Sequence, residues 1–383
     1  MERIFKGGIT ALLNLLGINA SQTIQVKHSA ILRGPLQMAF DLTNRCNFRC
    51  LHCFNLSGET WLIDEELSDE EIMAFADDVA ENLKPHNLCF CGGEPLIRFD
   101  ILRNALQRLR EACSDLSMVT NGSLVTASKA KELASCGLTR AQVSLDGAGP
   151  STHERLRGAP GSFQKAVDAI RSFRDAGLRS VEIAFCPTRF NIHELPQVRE
   201  ICRDIGVERI RVQPLMLLGR ALLNSDEILP TPWQYRELIR YIARVIGSRE
   251  FPTFEWGDPI DHLIRFTTSM TMCYPFMAVK ANGAVEVSPY IPLTVGNIKR
   301  HPVSQYWAAG YPVVWRLPVV QEMARRIVSI ADMNRTSPGV PVVWADRDIE
   351  VDLVDGSTPP LSSYPSEVAA GRFGHEHGRE ANL

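Results

Sequence analysis

Residues 37–53 read Gln-Met-Ala-Phe-Asp-Leu-Thr-Asn-Arg-Cys-Asn-Phe-Arg-Cys-Leu-His-Cys. A strand-like run, Gln37 to Thr43, leads directly into three cysteines, Cys46, Cys50 and Cys53, in the spacing C-x3-C-x2-C. Three thiolates on one loop can hold three irons of a [4Fe-4S] cube and leave the fourth iron without a protein ligand, open to chemistry. Two other readings compete. A structural zinc site wants four ligands, and His52 would have to complete it from inside the same loop, which is sterically awkward. A disulfide loop fits poorly with ten cysteines scattered over 383 residues and no signal peptide, a usage that points to a reducing, cytoplasmic compartment.

Composition narrows the classes further. Hydrophobic residues make up 45% of the chain and no stretch approaches the roughly 20 apolar residues that cross a membrane. A net charge of -3 leaves no electrostatic footprint for nucleic acid. Apolar residues at Ile4, Phe5, Ile9, Leu12, Leu13, Leu15 and Leu16 suggest a short amphipathic helix in Met1 to Asn19 that docks on its own protein.

Outward from the cysteines, short β-branched or apolar runs recur at Gln37 to Thr43, Asn87 to Cys91, Leu116 to Thr120, Ala141 to Leu145, Val181 to Cys186 and Arg209 to Gln213. Helix-length amphipathic segments separate them, so the sheet is parallel. Ser68 with Glu71 forms a capping box before a helix over Asp69 to Asn82, and Thr231-Pro232 with Gln234 opens a later one. Six strands predict an α/β fold, a partial (β/α)6 barrel short of the full eight.

The polar and glycine-rich motifs fall just past the carboxyl ends of these strands: the cysteine loop, Cys91-Gly92-Gly93-Glu94-Pro95, Thr120-Asn121-Gly122, Ser144-Leu145-Asp146-Gly147 and Gln213-Pro214. Each alone is an ordinary turn former. Together they line the rim where parallel barrels place active sites.

In these motifs, over about residues 36 to 220, the chain resembles the radical S-adenosylmethionine (radical SAM) enzymes. The resemblance implies that Cys46, Cys50 and Cys53 ligate one [4Fe-4S] cluster and that S-adenosylmethionine chelates its open iron. It further implies that electron donation, from a protein such as flavodoxin or ferredoxin, releases a 5'-deoxyadenosyl radical that abstracts hydrogen from a substrate C–H bond. Gly92, Gly93 and Glu94 would receive the methionine amino group. Asn121 belongs to the matching Thr-Asn-Gly rim, Ser144 and Asp146 suit the ribose or methionine parts, Arg157 suits the carboxylate, and Gln213 faces the adenosyl group or the substrate.

The C-terminal third is similar to the SPASM or twitch extension in weakened form. Gly219-Arg220-Ala221, Cys273 with Gly283 ten residues on, and Gly296-Asn297-Ile298 carry that likeness. Serine stands at 288 where such an extension has a cluster cysteine, and no cysteine follows Cys273. A small, cluster-free α+β extension is the expectation, with a hairpin over Phe276 to Ser288 turning at Asn282-Gly283. The domains then run 1–35 (N-terminal helical segment), 36–220 (barrel), 221–354 (extension) and 355–383 (flexible tail). Within the extension, Ile298 to Ser329 reads as a terminal helix and Val342 to Val354 as a final strand.

Freed from a cluster, Cys273 is either a buried small hydrophobe or a hydrogen donor to a substrate radical, with Cys186 at the end of the fifth strand as rival donor. Cys89, Cys91, Cys113, Cys136 and Cys202 read as structural; Cys89 and Cys91 point to one face of their strand. For function, the resemblance implies maturation of a ribosomally made peptide by crosslinking, epimerisation or a related change. The alternatives are a radical epimerase or dehydrogenase acting on a sugar or other small molecule, and an iron–sulfur sensor or scaffold without catalysis. Only about 35 residues precede the first strand, too few for an independent winged-helix fold, so leader recognition would fall to a separate protein.

Overall fold

Along the strands, apolar and polar residues alternate, and this alternation decides which way the sheet curls. The computed structural model describes residues 32–59, 65–248, 250–257, 263, 275–291, 293–325, 327 and 349–356. Seven strands run parallel in sequence order: β1 Gln37–Thr43, β2 Asn87–Gly92, β3 Asp115–Thr120, β4 Arg140–Ser144, β5 Ser180–Phe185, β6 Arg209–Val212 and β7 Thr253–Trp256. Six of them lie where the sequence pattern puts them. The seventh, Thr-Phe-Glu-Trp, is too short and too mixed to read as a strand, and pairs with β6 once the helix Pro232–Ser248 has crossed over.

One set of side chains, among them Phe40, Leu88, Phe90, Met118, Val143, Ile183 and Ile210, is fully buried under the helices. Phe40 stacks on Phe75 of the helix Asp69–Asp78 with ring centroids 4.4 Å apart. The alternate set, including Asp41, Cys91, Gln142, Ala184 and Arg211, faces the concave interior. At the amino ends of the strands that interior is closed by charge: Asn87 Nδ2 donates to Asp115 at 2.8 Å, Arg140 pairs with Asp115 at 2.9 Å, and Arg209 with Glu182 at 3.4 Å. Open space is left at the carboxyl ends, under the motif rim.

Both expected helix starts form. Ser68 and Glu71 make a reciprocal capping box, although the helix ends at Asp78 and continues as one π-turn, Val79–Leu83. Thr231 and Gln234 exchange the same pair of bonds ahead of Pro232.

The C-terminal elements extend the barrel sheet. β8 Phe276–Val279 pairs in parallel with β1 on its free edge; β9 Ala284–Glu286 returns antiparallel through Asn282-Gly283, where Gly283 takes φ +87°; β10 Leu293–Asn297 and β11 Ile349–Glu350 complete the order. The helix expected over Ile298 to Ser329 is instead three short pieces, Val303–Ala308, a 3-10 stretch Tyr311–Arg316 and Pro318–Arg325. Gly310 at φ +119°, followed by Pro312 and later Pro318, interrupts it. Of the expected final strand only Ile349–Glu350 is strand among the described residues. The Met1 to Asn19 helix, Cys273 and most of the tail lie outside the described residues. No helix among the described residues is long and apolar enough to cross a membrane.

Candidate active site

The cysteine loop leaves β1 and is held by its backbone. Arg220 donates to Cys50 O at 3.1 Å and to Ser57 O at 2.9 Å, its own N–H reaches Cys53 O at 2.8 Å, and its guanidinium pairs with Glu59 at 2.8 Å. Asn224 Nδ2 adds a bond to Leu51 O at 3.3 Å. Gly219, at φ +53°, permits this approach: a Cβ there would stand 2.4 Å from Phe54 O. The Gly219-Arg220-Ala221 motif therefore serves the cysteine loop directly.

Cys46, Cys50 and Cys53 are unbridged and open onto one cavity of about 360 Å³. Burial raises the Cys46 thiol and pushes Cys50 up to about 11 against the pull of Arg157. His52 Nδ1 is buried without a partner beside them, and burial holds that ring at about 3, hence neutral. Among the described residues, the one set of three ligating groups gathered within 4.8 Å is His301, Asp352 and Asp355, of which Asp352 is buried; the cysteine sulfurs spread wider. A single tetrahedral zinc would draw its sulfurs to about 3.8 Å from each other, given Zn–S bonds near 2.3 Å, so the spread suits a multi-iron cluster better. The donor set, all thiol with one orphaned imidazole nitrogen nearby, fits that group.

The rim residues divide into those that face the cavity and those that build it. Gly92, Gly93, Asn121, Ser144, Asp146, Arg157, Cys186 and Gln213 all line it. The glycine pair is required by the chain itself: a Cβ on Gly93 would meet Arg45 O at 2.1 Å, and one on Gly92, at φ +121°, Thr43 O at 2.3 Å. Gly93 N–H donates to Thr43 O at 2.7 Å and Glu94 N–H to Arg45 O at 2.8 Å, docking β2 against the exit of β1.

Glu94 is fully buried and outside the cavity lining. Its carboxylate accepts from Leu96 N at 3.1 Å, Thr120 Oγ1 at 2.8 Å and Asn121 N at 2.8 Å, and so ties the β2 rim to the β3 rim. Asn121 in turn donates to Asn47 Oδ1 in the cysteine loop at 3.0 Å.

Asp146 and Arg157 are partners. Arg157 Nε donates to Asp146 at 2.6 Å, Cys186 N–H donates to the same carboxylate at 2.7 Å, and Arg157 also reaches Cys50 Sγ at 3.8 Å. Burial, the largest influence, opposes charge on Asp146, yet Arg157, His52 and His153 together hold its carboxyl below the ordinary value. Arg157, far from a solvated cation, sits between Asp146 and Cys50 of the cysteine loop and stays charged. Cys186 is pushed far up by burial beside Asp146, so its thiol stays protonated.

Several cavity residues lay outside the sequence reading. Asp41, Gln142 and Arg211 come from inward-facing strand positions, and Pro289 and Tyr290 from the turn after β9. Asp41 was recognisable as the lone charge in an otherwise apolar strand. Cys91, assigned to the core by its spacing, faces the cavity instead; Cys113, Cys136 and Cys202 are buried as expected.

The fold and this rim are those of a radical SAM domain. Residues 40–202 match the model of the radical SAM superfamily, and that stretch carries the cysteine loop and most of the rim. The chain is 28% identical over 296 residues to the AdoMet-dependent heme synthase of Methanosarcina barkeri, covering 73% of this chain and 83% of that one. It is 29% identical over 197 residues to the PqqA peptide cyclase of Granulibacter bethesdensis, covering 51% and 52%, so it spans about half of that relative. The fold is shared with Streptococcus suis SuiB bound to S-adenosylmethionine: TM-score 0.59, 16% identity, 85% of this chain and 78% of SuiB. The radical SAM domain implies a [4Fe-4S] cluster and S-adenosylmethionine as cofactors.

Proposed function

We propose that the chain matures a ribosomally made peptide by radical SAM chemistry, with Cys46, Cys50 and Cys53 as the cluster ligands. The charge balance of the cavity carries this reading. Its cations are spoken for: Arg157 by Asp146, Arg211 by Glu255 and Arg220 by Glu59. A polycarboxylate such as a porphyrin would arrive among arginines already paired, and breaking the buried Arg157–Asp146 pair costs about 3 kcal/mol or more. The remaining lining, with Phe54, Pro214, Met216, Pro289 and Tyr290, suits a side chain of a peptide. The PqqA peptide cyclase resemblance supports the same class.

When bound, the cluster and S-adenosylmethionine supply the 5'-deoxyadenosyl radical that takes hydrogen from a C–H bond. The protein's own work is placement. Arg220 fixes the loop carbonyls, Arg157 keeps positive charge at Cys50 and favours its thiolate, and Glu94 locks adjacent strand ends. Gly92, Gly93, Asn121, Ser144 and Gln213 offer the rim groups for S-adenosylmethionine. Electrons come from a partner of the flavodoxin or ferredoxin class.

The test is 5'-deoxyadenosine formation by the anaerobically reconstituted, reduced enzyme. A peptide encoded beside the gene accelerates it, whereas nucleotide sugars, aminoglycosides and iron porphyrins do not; acceleration by one of those instead moves the substrate to the small-molecule class. Cys50→Ala abolishes formation, and retention of activity there overturns the ligand assignment.

A further inference from the structure

Two thiols stand inside the barrel on β2, apart from the cluster loop. Cys89 and Cys91 alternate with Phe90, so both project to the concave side, and their sulfurs lie 3.4 Å apart. Cys91 lines the same cavity as the cluster cysteines and Gly93; Cys89 lies one layer deeper. Across the β1–β2 ladder, Asp41 is the register partner of Cys91, and its carboxyl also lines the cavity. Burial is the main influence raising Asp41 to about 7, with Glu286 adding to it and Lys280 opposing, so this acid exchanges protons near neutrality. A dithiol with one sulfur on the cavity and a proton acceptor across the ladder from it is a redox arrangement, and packing alone does not call for it.

We propose that Cys91 is the hydrogen-atom donor that quenches a carbon radical in this cavity, with Cys89 as the second thiol of a redox pair. The inference rests on the radical chemistry proposed above. In the donation step a C–H bond forms, the Cys91 S–H bond breaks, and the unpaired electron stays on the Cys91 sulfur. Cys89 then gives its proton to Asp41 and bonds to Cys91, forming a disulfide radical anion. That species passes one electron to an oxidised iron–sulfur protein of the ferredoxin class, which leaves a Cys89–Cys91 disulfide. An external dithiol reduces the disulfide and restores both thiols. Enzyme with this pair therefore consumes dithiol reductant whenever it quenches a radical.

Two measurements test this. In the first, the iron-free chain is treated with diamide and mapped by mass spectrometry. The peptide holding both residues loses two hydrogens without any gain of label, the mark of an internal disulfide; two separately labelled thiols overturn the pairing whatever the activity. In the second, the reconstituted enzyme cleaves S-adenosylmethionine alone in deuterium oxide, so that the adenosyl radical is itself the species quenched. Wild type delivers deuterium into 5'-deoxyadenosine. Most of that deuterium is lost in Cys91→Ala and in Cys91→Ser, which keeps the size of the side chain but offers only a hydroxyl. Retention in both variants, or loss in Cys186→Ala instead, overturns the assignment of Cys91. Absence of 5'-deoxyadenosine from wild type defeats the radical reading itself, and the donor role with it.

Discussion

At the scale of single residues the site is an economy of buried charge. Asp146 is fully buried and keeps its charge because Arg157 forks onto it and Cys186 N–H donates to it. Arg157→Gln removes the compensating charge and leaves a carboxylate stranded, which costs about 3 kcal/mol in urea unfolding of the iron-free chain. Because the Asp146 carboxyl is depressed in the folded state, its contribution is present above the carboxylate range and lost as acid protonates it; in the variant burial dominates, so the deficit relative to wild type is largest above the carboxylate range and shrinks as acid protonates the stranded carboxyl. His153 acts in the opposite chemical sense with the same pH direction. Burial holds it at about 4, its Nδ1 accepts from Asp146 N, and Nε2 is orphaned. Between that value and the unfolded value near 6.5 the unfolded chain binds the extra proton. Stability thus falls as pH drops through this window, by about 3 kcal/mol in all at about 1.4 kcal/mol per unit, and His153→Gln flattens the slope. Asp146 was legible as a rim residue and Arg157 as a cation suited to a carboxylate. Their mutual pairing was not, because the helix Pro150–Arg157 that folds Arg157 back beneath the loop leaves no mark in either motif.

At the scale of elements, strand positions were readable because each strand alternates. Ser-Val-Glu-Ile-Ala-Phe buries Val181, Ile183 and Phe185 while Glu182 joins the charged floor and Ala184 borders the cavity. The same rule, followed inward, names Asp41 and Cys91. What hid the role of Cys91 is that strand cysteines are usually buried in the core, a rule of composition that takes no account of which face is hollow. The glycine pair shows the converse. Its motif is visible, but its reason lies 45 to 50 residues earlier in the exit of β1, which it touches through backbone alone. Gly93→Ala forces its Cβ to 2.1 Å of Arg45 O. Backbone on both sides leaves no flexible group to yield, so the cysteine loop shifts. The reconstituted variant retains much less iron than wild type while its far-ultraviolet circular dichroism stays native; full iron loading would show that the loop tolerates displacement.

At the scale of the whole molecule, the C-terminal elements act through one edge. β8 extends the barrel sheet beside β1, so the turn after β9 hangs over the strand ends and brings Pro289 and Tyr290 to the cavity. This junction was unreadable from sequence, since parallel pairing across more than two hundred residues depends on an unfilled edge that local pattern does not display. The expected place for a second cluster's cysteine, Ser288, is buried in that turn, where its hydroxyl accepts from Tyr290 N at 3.2 Å. A hydroxyl used to shape a hairpin is a poor iron–sulfur ligand, both by softness and because it is already engaged. Cys273, the other cysteine of that region, would need three further partners. Cys113, Cys136 and Cys202 are buried in the core, and Cys89 and Cys91 point into the barrel, which leaves none of them to offer. Anaerobic reconstitution should accordingly yield about four irons and four acid-labile sulfides per chain, the content of one cube. A value near eight would require the extension to bind metal through groups other than these thiols, and would turn the chemistry from hydrogen return toward oxidation, since a second cluster gives the substrate radical an electron acceptor where this chain otherwise presents a thiol.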